Sequence, residues 1–187
     1  MEYNNLKNII LELQHYAKNV KEEEAQNMVH LILSAKKIFI AGAGRSGFAA
    51  RGFANRLMHL GFQVSFIGEP TTPPIKKGDL LIIGSGSGTT PSLVKMAEKA
   101  KGFGAKIATI TIAPENTIGC MADAIITIPG TTRQLVEGQA KEGTSIQPVG
   151  SMFEQLSWLV YDSLVMNLKE ETKQSLDDML QRHGNLE

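Results

Sequence analysis

Five short apolar runs, separated by helical patterns, restrict what this chain can fold into. They are "KIFIAGAG" from Lys37, "FQVSFIGE" from Phe62, "DLLIIG" from Asp79, "AKIATITIA" from Ala105 and "DAIITIPG" from Asp123. Most of these runs do not alternate apolar with polar residues, so they have no wet face. Strands of that kind belong in a parallel sheet covered by helices on both sides. The helical patterns fall where such a fold needs them. Leu6, Ile9, Ile10, Leu13 and Ala17 repeat at helical spacing, as do Ala25, Met28, Val29, Ile32 and Leu33. The acidic run Glu22 to Glu24 is either a solvated face or the start of a second helix. Further helices are expected over 46–60, 91–103, 151–169 and 176–182, with a loop over 130–150. Pro91 suits the first turn of its helix, where a missing N–H costs nothing.

The expected architecture is therefore an α/β, three-layer αβα sandwich on a five-stranded parallel sheet. There is no repeat, low-complexity tract or linker, so residues 1–187 are expected to form one domain. A helical arm (about 4–34) precedes the first strand, and a helix and tail (about 151–187) close the chain.

Composition excludes several partners. Nineteen basic and nineteen acidic residues cancel, so no net field draws in nucleic acid or an anionic membrane. No apolar run approaches the roughly 20 residues of a membrane span. The N-terminal "MEYNNLKNII" lacks the basic start and apolar centre of a signal peptide. Cys120, the lone cysteine, has no partner for a disulfide and no CxxC spacing. A soluble, cytoplasmic protein is expected, and no cluster of His, Cys and Asp at zinc spacing suggests a metal.

In open parallel sheets, ligands bind beyond the carboxyl ends of the strands. Two glycine-rich loops lie there. In "GSGSGTT", Gly84, Gly86 and Gly88 let the backbone approach a ligand closely, and Ser85, Ser87, Thr89 and Thr90 bring hydroxyl donors. The N-terminus of the next helix presents free N–H groups and partial positive charge to the same spot. The combination suits a phosphate. No lysine precedes the hydroxyl pair, so this is not the loop of a nucleotide triphosphatase. In "AGAGRSG", Gly42, Gly44 and Gly47 fit a dinucleotide fingerprint, with Glu69 where a ribose-binding acid would stand. Against that reading, Arg45 puts a bulky side chain where a pyrophosphate must lie close. The second, hydroxyl-rich loop is also foreign to the dinucleotide pattern. Two loops converging on one small phosphate explain both features.

With these residues in place, the sequence resembles the sugar isomerase (SIS) domain family over nearly its whole length. The motifs are "AGAGRSG" with "RLMHLGF", then "GEPTTPP", "GSGSGTT", "QPVGSMFEQ" and the terminal "RHGNLE". Thr89 stands where many members carry glutamate, so any role of that acid does not carry over. Val149 and Gly184 are minor departures. The resemblance implies a flavodoxin-like SIS domain. It also implies isomerisation of D-arabino-hex-3-ulose 6-phosphate to D-fructose 6-phosphate, a step of formaldehyde fixation in the ribulose monophosphate pathway. The reaction passes through an enediol and uses no cofactor or metal. Glu154, at the start of the long helix, is the expected base, against the simpler role of a helix N-terminal acid. His183, in "RHGNLE", is the expected proton shuttle, because SIS enzymes commonly complete a site with a histidine from a neighbouring subunit. Ser46, Ser85, Ser87 and Thr90 match the family's phosphate-binding hydroxyls. Arg45 is expected at the sugar or phosphate, and Glu69 at the sugar hydroxyls. His15, His30 and His59 look structural.

The long helix is apolar almost all round, with Trp158, Leu159 and Val160 followed by Leu164, Val165 and Met166. Such a helix must be covered on more than one side. A homo-oligomer is expected, a tetramer by the resemblance.

Overall fold

The computed structural model describes residues 4–130 and 145–186. The middle of the loop expected over 130–150, and the last residue of "RHGNLE", lie outside the described residues.

Two helices open the chain, α1 (Asn5–Ala17) and α2 (Glu22–Ser34). The acidic run is the first turn of α2, where negative charge meets the positive end of the helix. Glu24 is also used at long range, its carboxylate accepting the Thr127 N–H at 2.7 Å. Strand β1 (Ile38–Gly42) leads into α3 (Gly44–His59), and β2 (Val64–Phe66) follows. Next come β3 (Leu80–Gly84), α4 (Pro91–Gly102), β4 (Lys106–Thr111), a short 3₁₀ turn (Gly119–Met121) and β5 (Ala124–Thr127). Helices α5 (Ser151–Glu171) and α6 (Leu176–Gln181) end the chain. Two boundaries differ from expectation. Helix α3 starts two residues early, at Gly44, and β2 is only three residues long. As an edge strand, β2 finds hydrogen-bond partners on β1 alone.

All strand pairs are parallel, in the order β2-β1-β3-β4-β5. From β1 the chain moves first to one side and then, through β3, to the other. Strands β1 and β3 are therefore neighbours with crossovers leaving in opposite directions, which opens a crevice at their carboxyl ends.

The alternate faces of the strands fill two cores. Ile38, Ile40, Leu80, Ile82, Ile110 and Ile126 pack under α2, α3 and α5. Phe39, Ala41, Leu81, Ile83 and Ile107 pack under α4 and the 3₁₀ turn through Leu93, Ala97, Ala100 and Ile118. The three layers are those the continuous apolar strands require.

The turn from β1 into α3 is unusually tight. A Cβ on Gly47 would lie 2.7 Å from the Gly42 carbonyl oxygen, and one on Gly42 would lie 2.8 Å from Gly47 Cα. Both obstacles are backbone, so neither can rotate away. At an open helical position, Gly→Ala stabilises by roughly 0.5–1 kcal/mol. Here the sign should reverse. Gly47→Ala is expected to lower the unfolding free energy by about 1–3 kcal/mol, the scale of core overpacking, measured by urea denaturation. A stabilised variant would show that the turn is looser than its geometry.

Candidate active site

A cavity of about 220 Å³ opens at the β1/β3 crevice, lined by Ala43, Ser46, Gly84, Ser85, Gly86, Ser87, Thr90, Leu93, Val149, Gly150, Phe153 and Glu154. Three helices begin at its wall. Ala43 and Ser46 belong to the start of α3, Thr90 precedes α4, and Gly150 precedes α5. None of these three N-termini is closed by a side-chain cap. Their free N–H groups and partial positive charges meet in one small space, which favours an anion there.

The hydroxyl-rich loop is braced from behind. The Gly86 carbonyl accepts the Ile112 N–H at 3.0 Å, the Ser87 carbonyl accepts Asn116 Nδ2 at 2.8 Å, and the Gly88 carbonyl accepts the Ile118 N–H at 3.0 Å. Buried Thr111 also donates its hydroxyl to the Gly86 carbonyl at 3.2 Å. The carbonyls are thus engaged on the β4 side, away from an incoming anion. Ser85 Oγ accepts the Gly88 N–H at 3.2 Å, and Ser87 Oγ accepts the Thr89 N–H at 3.3 Å. Each hydroxyl keeps its own proton to donate. Ser85 and Ser87 are buried in the cavity wall. Gly84 must lack a side chain, because a Cβ there would meet the hydroxyl oxygen of buried Tyr161 at 2.7 Å.

Glu154 stands across the cavity from this loop, in the first turn of α5. Its side chain is only 16% exposed, and Arg45 Nε donates to its Oε2. Its other oxygen, Oε1, lies over Gly150, where a Cβ would approach it to 3.3 Å. Gly150 has φ +92°, so its bareness and its backbone both suit this corner. Arg45 is largely exposed and lies with Phe48, Ala49, Gln155 and Trp158 in a second, apolar hollow beside the first.

The structure thus brings Ser46, Ser85, Ser87, Thr90 and Glu154 together, with Arg45 at the rim. Glu69 is not a lining residue of the cavity. Its carboxylate accepts from Arg51 Nη1 at 2.9 Å, and that guanidinium stacks on the Phe66 ring. Glu69 follows edge strand β2, on the far side of β1 from the crevice. His183 is also remote within its own chain. Its ring stacks on His59, with centroids 4.9 Å apart. His59 ends α3, whose first turn lines the cavity, and helical rise puts roughly 20 Å between the two ends. Burial pushes the His59 imidazole below its ordinary range, and neighbouring His183 and Arg56 add to the effect. Among the described residues, no group of three or more His, Cys, Asp or Glu is arranged to hold a metal ion.

Sequence reasoning missed Thr111 and Asn116, which brace the serine loop from residues far along the chain. Their only signal was position, Thr111 within the fourth apolar run and Asn116 just after it.

These features define a doubly wound α/β protein with a hydroxyl-lined cavity at its crevice and a carboxylate in the cavity wall. Residues 31–142 match the family model described as SIS domain. The chain is 46% identical over 179 residues to the 3-hexulose-6-phosphate isomerase of Bacillus subtilis (strain 168), covering 96% of this chain and 95% of that one. It is 39% identical over 186 residues to the 3-hexulose-6-phosphate isomerase of Mycobacterium gastri, covering 98% and 90%. A crystal structure of a Methanococcus jannaschii protein, described as inferring a molecular function of 3-hexulose-6-phosphate isomerase, shares 35% identity and a TM-score of 0.76 over 96% of both chains. The chain belongs to the SIS domain family.

Proposed function

We propose that this protein is a sugar-phosphate isomerase that converts D-arabino-hex-3-ulose 6-phosphate to D-fructose 6-phosphate. One observation carries the reading beyond the relatives' names. A carboxylate, Glu154 in the first turn of α5, lines the same cavity as a loop of hydroxyls and the N-termini of α3 and α4, and that cavity is sized for one small phosphorylated molecule.

The chemistry moves a carbonyl from carbon 3 to carbon 2. Glu154 takes the proton from carbon 2, and the electron pair forms the carbon 2–carbon 3 double bond as the carbon 3 carbonyl gains a proton. The resulting enediol loses its proton from the oxygen on carbon 2 and regains one at carbon 3. No electrons leave the substrate, so the reaction balances without an oxidant. A 3-ketone with a phosphorylated 6-hydroxyl has only four-membered rings open to it, so the sugar enters open-chain and no ring-opening acid is needed. The Ser85, Ser87, Thr90 and Ser46 hydroxyls hold the phosphate. Arg45 fixes one oxygen of Glu154 and leaves the other free to accept the proton. His183 of a second copy exchanges protons between the two sugar oxygens.

An exposed apolar face supports the proposed assembly. Helix α5 buries one face against the sheet and leaves Trp158, Leu159 and Met166 exposed, next to exposed Phe48 of α3. A homotetramer covers that apolar face and brings a tail to each site. We place the enzyme in the cytoplasm, in formaldehyde fixation.

The direct test is an assay that couples fructose 6-phosphate formation to a reporter, with the 3-ketose phosphate as substrate. Turnover supports the reading. Binding of the sugar phosphate without turnover would make the chain a sensing module, and binding of a dinucleotide would replace the reading altogether. Ser87→Ala supplies a finer check. It removes a hydroxyl from the phosphate loop, where a bond to a charged group contributes about 1.5–3 kcal/mol. KM should rise by roughly 10- to 150-fold at 1.36 kcal/mol per decade, with kcat much less affected. An unchanged KM removes this loop from phosphate binding.

A further inference from the structure

Helix α1 buries none of its residues fully, yet one of its carboxylates is spent on the segment that leads into the wall of the cavity. Half-buried Glu12 accepts three hydrogen bonds from a segment more than 130 positions away. Its Oε1 takes the Ile146 N–H at 2.9 Å. Its Oε2 takes the Ser145 hydroxyl at 3.0 Å and Gln147 Nε2 at 2.8 Å. Ser145 Oγ in turn accepts the Gln147 N–H at 3.1 Å, so the three residues are locked to one another as well as to Glu12. Hydrogen bonds to an ionised acceptor are roughly twice as strong as neutral ones.

The clamped segment leads straight into the site. Pro148 fixes one backbone torsion, and its carbonyl accepts the Ser151 N–H at 3.0 Å, closing a turn. Val149 and Gly150 inside that turn line the cavity. The Gly150 carbonyl accepts the Glu154 N–H at 3.0 Å, so the turn also sets the start of α5. Val149 is 57% exposed and belongs to neither hydrophobic core. We infer that Glu12 is a positioning residue for the sugar-phosphate site, acting through Ser145, Ile146 and Gln147 to hold the Val149–Gly150 wall. The inference rests on the isomerase reading given above.

A carboxylate that merely tied the N-terminal arm to the body would leave catalysis alone, so kinetics and local exchange separate the two roles. Glu12→Ala should lower kcat/KM by about tenfold, mostly through KM, within the 100-fold that a misplacement of about 1 Å can cost. Amide hydrogen exchange over 145–154 should speed up, while β1, β3 and β4 keep their protection. Gln147→Leu removes one of the three bonds and should raise KM severalfold. The double variant should lose little more than Glu12→Ala alone, because both act through one clamp. Unchanged kcat/KM with α1 alone loosened would overturn the inference, as would additive losses in the double variant. If Glu12→Ala does not fold, Gln147→Leu carries the test, and an unchanged KM overturns it. Exchange is measured without substrate. If the wild-type protein proves to have no isomerase activity, the reading of function fails on its own. Faster exchange confined to 145–154 would still support the clamp, and exchange unaltered there would reject it.

Discussion

Glu154→Gln is expected to lower kcat by about 100-fold or more, the usual scale of general acid–base catalysis, while KM changes little. The substitution preserves shape. An amide oxygen can still accept from Arg45 Nε, so the side chain keeps the position it has in the first turn of α5. Only the capacity to take a proton is lost. A glutamate that served the helix N-terminus alone would predict something different. Its loss would cost about 0.3–1 kcal/mol of stability and leave turnover near normal. Steady-state kinetics and a thermal melt on the same sample separate the two outcomes. Exchange of deuterium from solvent into fructose 6-phosphate adds a direct view of the proton step and should slow in parallel with kcat. A fully active Glu154→Gln enzyme would end the claim that Glu154 is the base.

The sheet was legible in the sequence because strands such as β1 and β3 are apolar on both faces, the pattern of a parallel sheet covered by helices. The crevice was legible for a related reason. Both glycine-rich loops directly follow apolar runs, which puts them at the carboxyl ends of β1 and β3 whatever the details. Pairings between distant residues were not legible. Arg45 and Glu154 were each singled out, but their ion pair spans 109 positions and comes from the packing of α3 on α5. Glu12 gave no signal, since it looks like one more charge on the wet side of an amphipathic helix. Glu69 shows the limit from the other direction. Its place after an apolar run fits a ligand at the strand ends, but only the strand order reveals that β2 lies outside the crevice. The acidic run at the start of α2 had two readings, and the helix boundary at Glu22 decides between them.

A hybrid of two inactive variants is expected to recover activity, and the geometry of α3 is the reason. Within one chain His183 sits on His59, at the opposite end of α3 from Ser46. About 20 Å of helix separates them, so His183 does not reach the Glu154 of its own chain. If it serves catalysis, it serves the site of another copy. His183→Ala should therefore lose turnover although its own cavity is intact, and Glu154→Gln should lose it although its tail is intact. Co-expression with two different tags, followed by tandem purification, isolates assemblies that contain both. In each reciprocal pair, one site combines the two defects and the other receives an intact Glu154 from one chain and an intact His183 from the next. Activity should return at that second site, up to half that of a wild-type pair, since closed symmetric interfaces place the same contacts on both partners. Size-exclusion chromatography shows whether the hybrid has assembled. An assembled hybrid with no activity would remove His183 from the site, because the fold leaves it no route to the cavity of its own chain. Full activity in His183→Ala by itself would lead to the same conclusion.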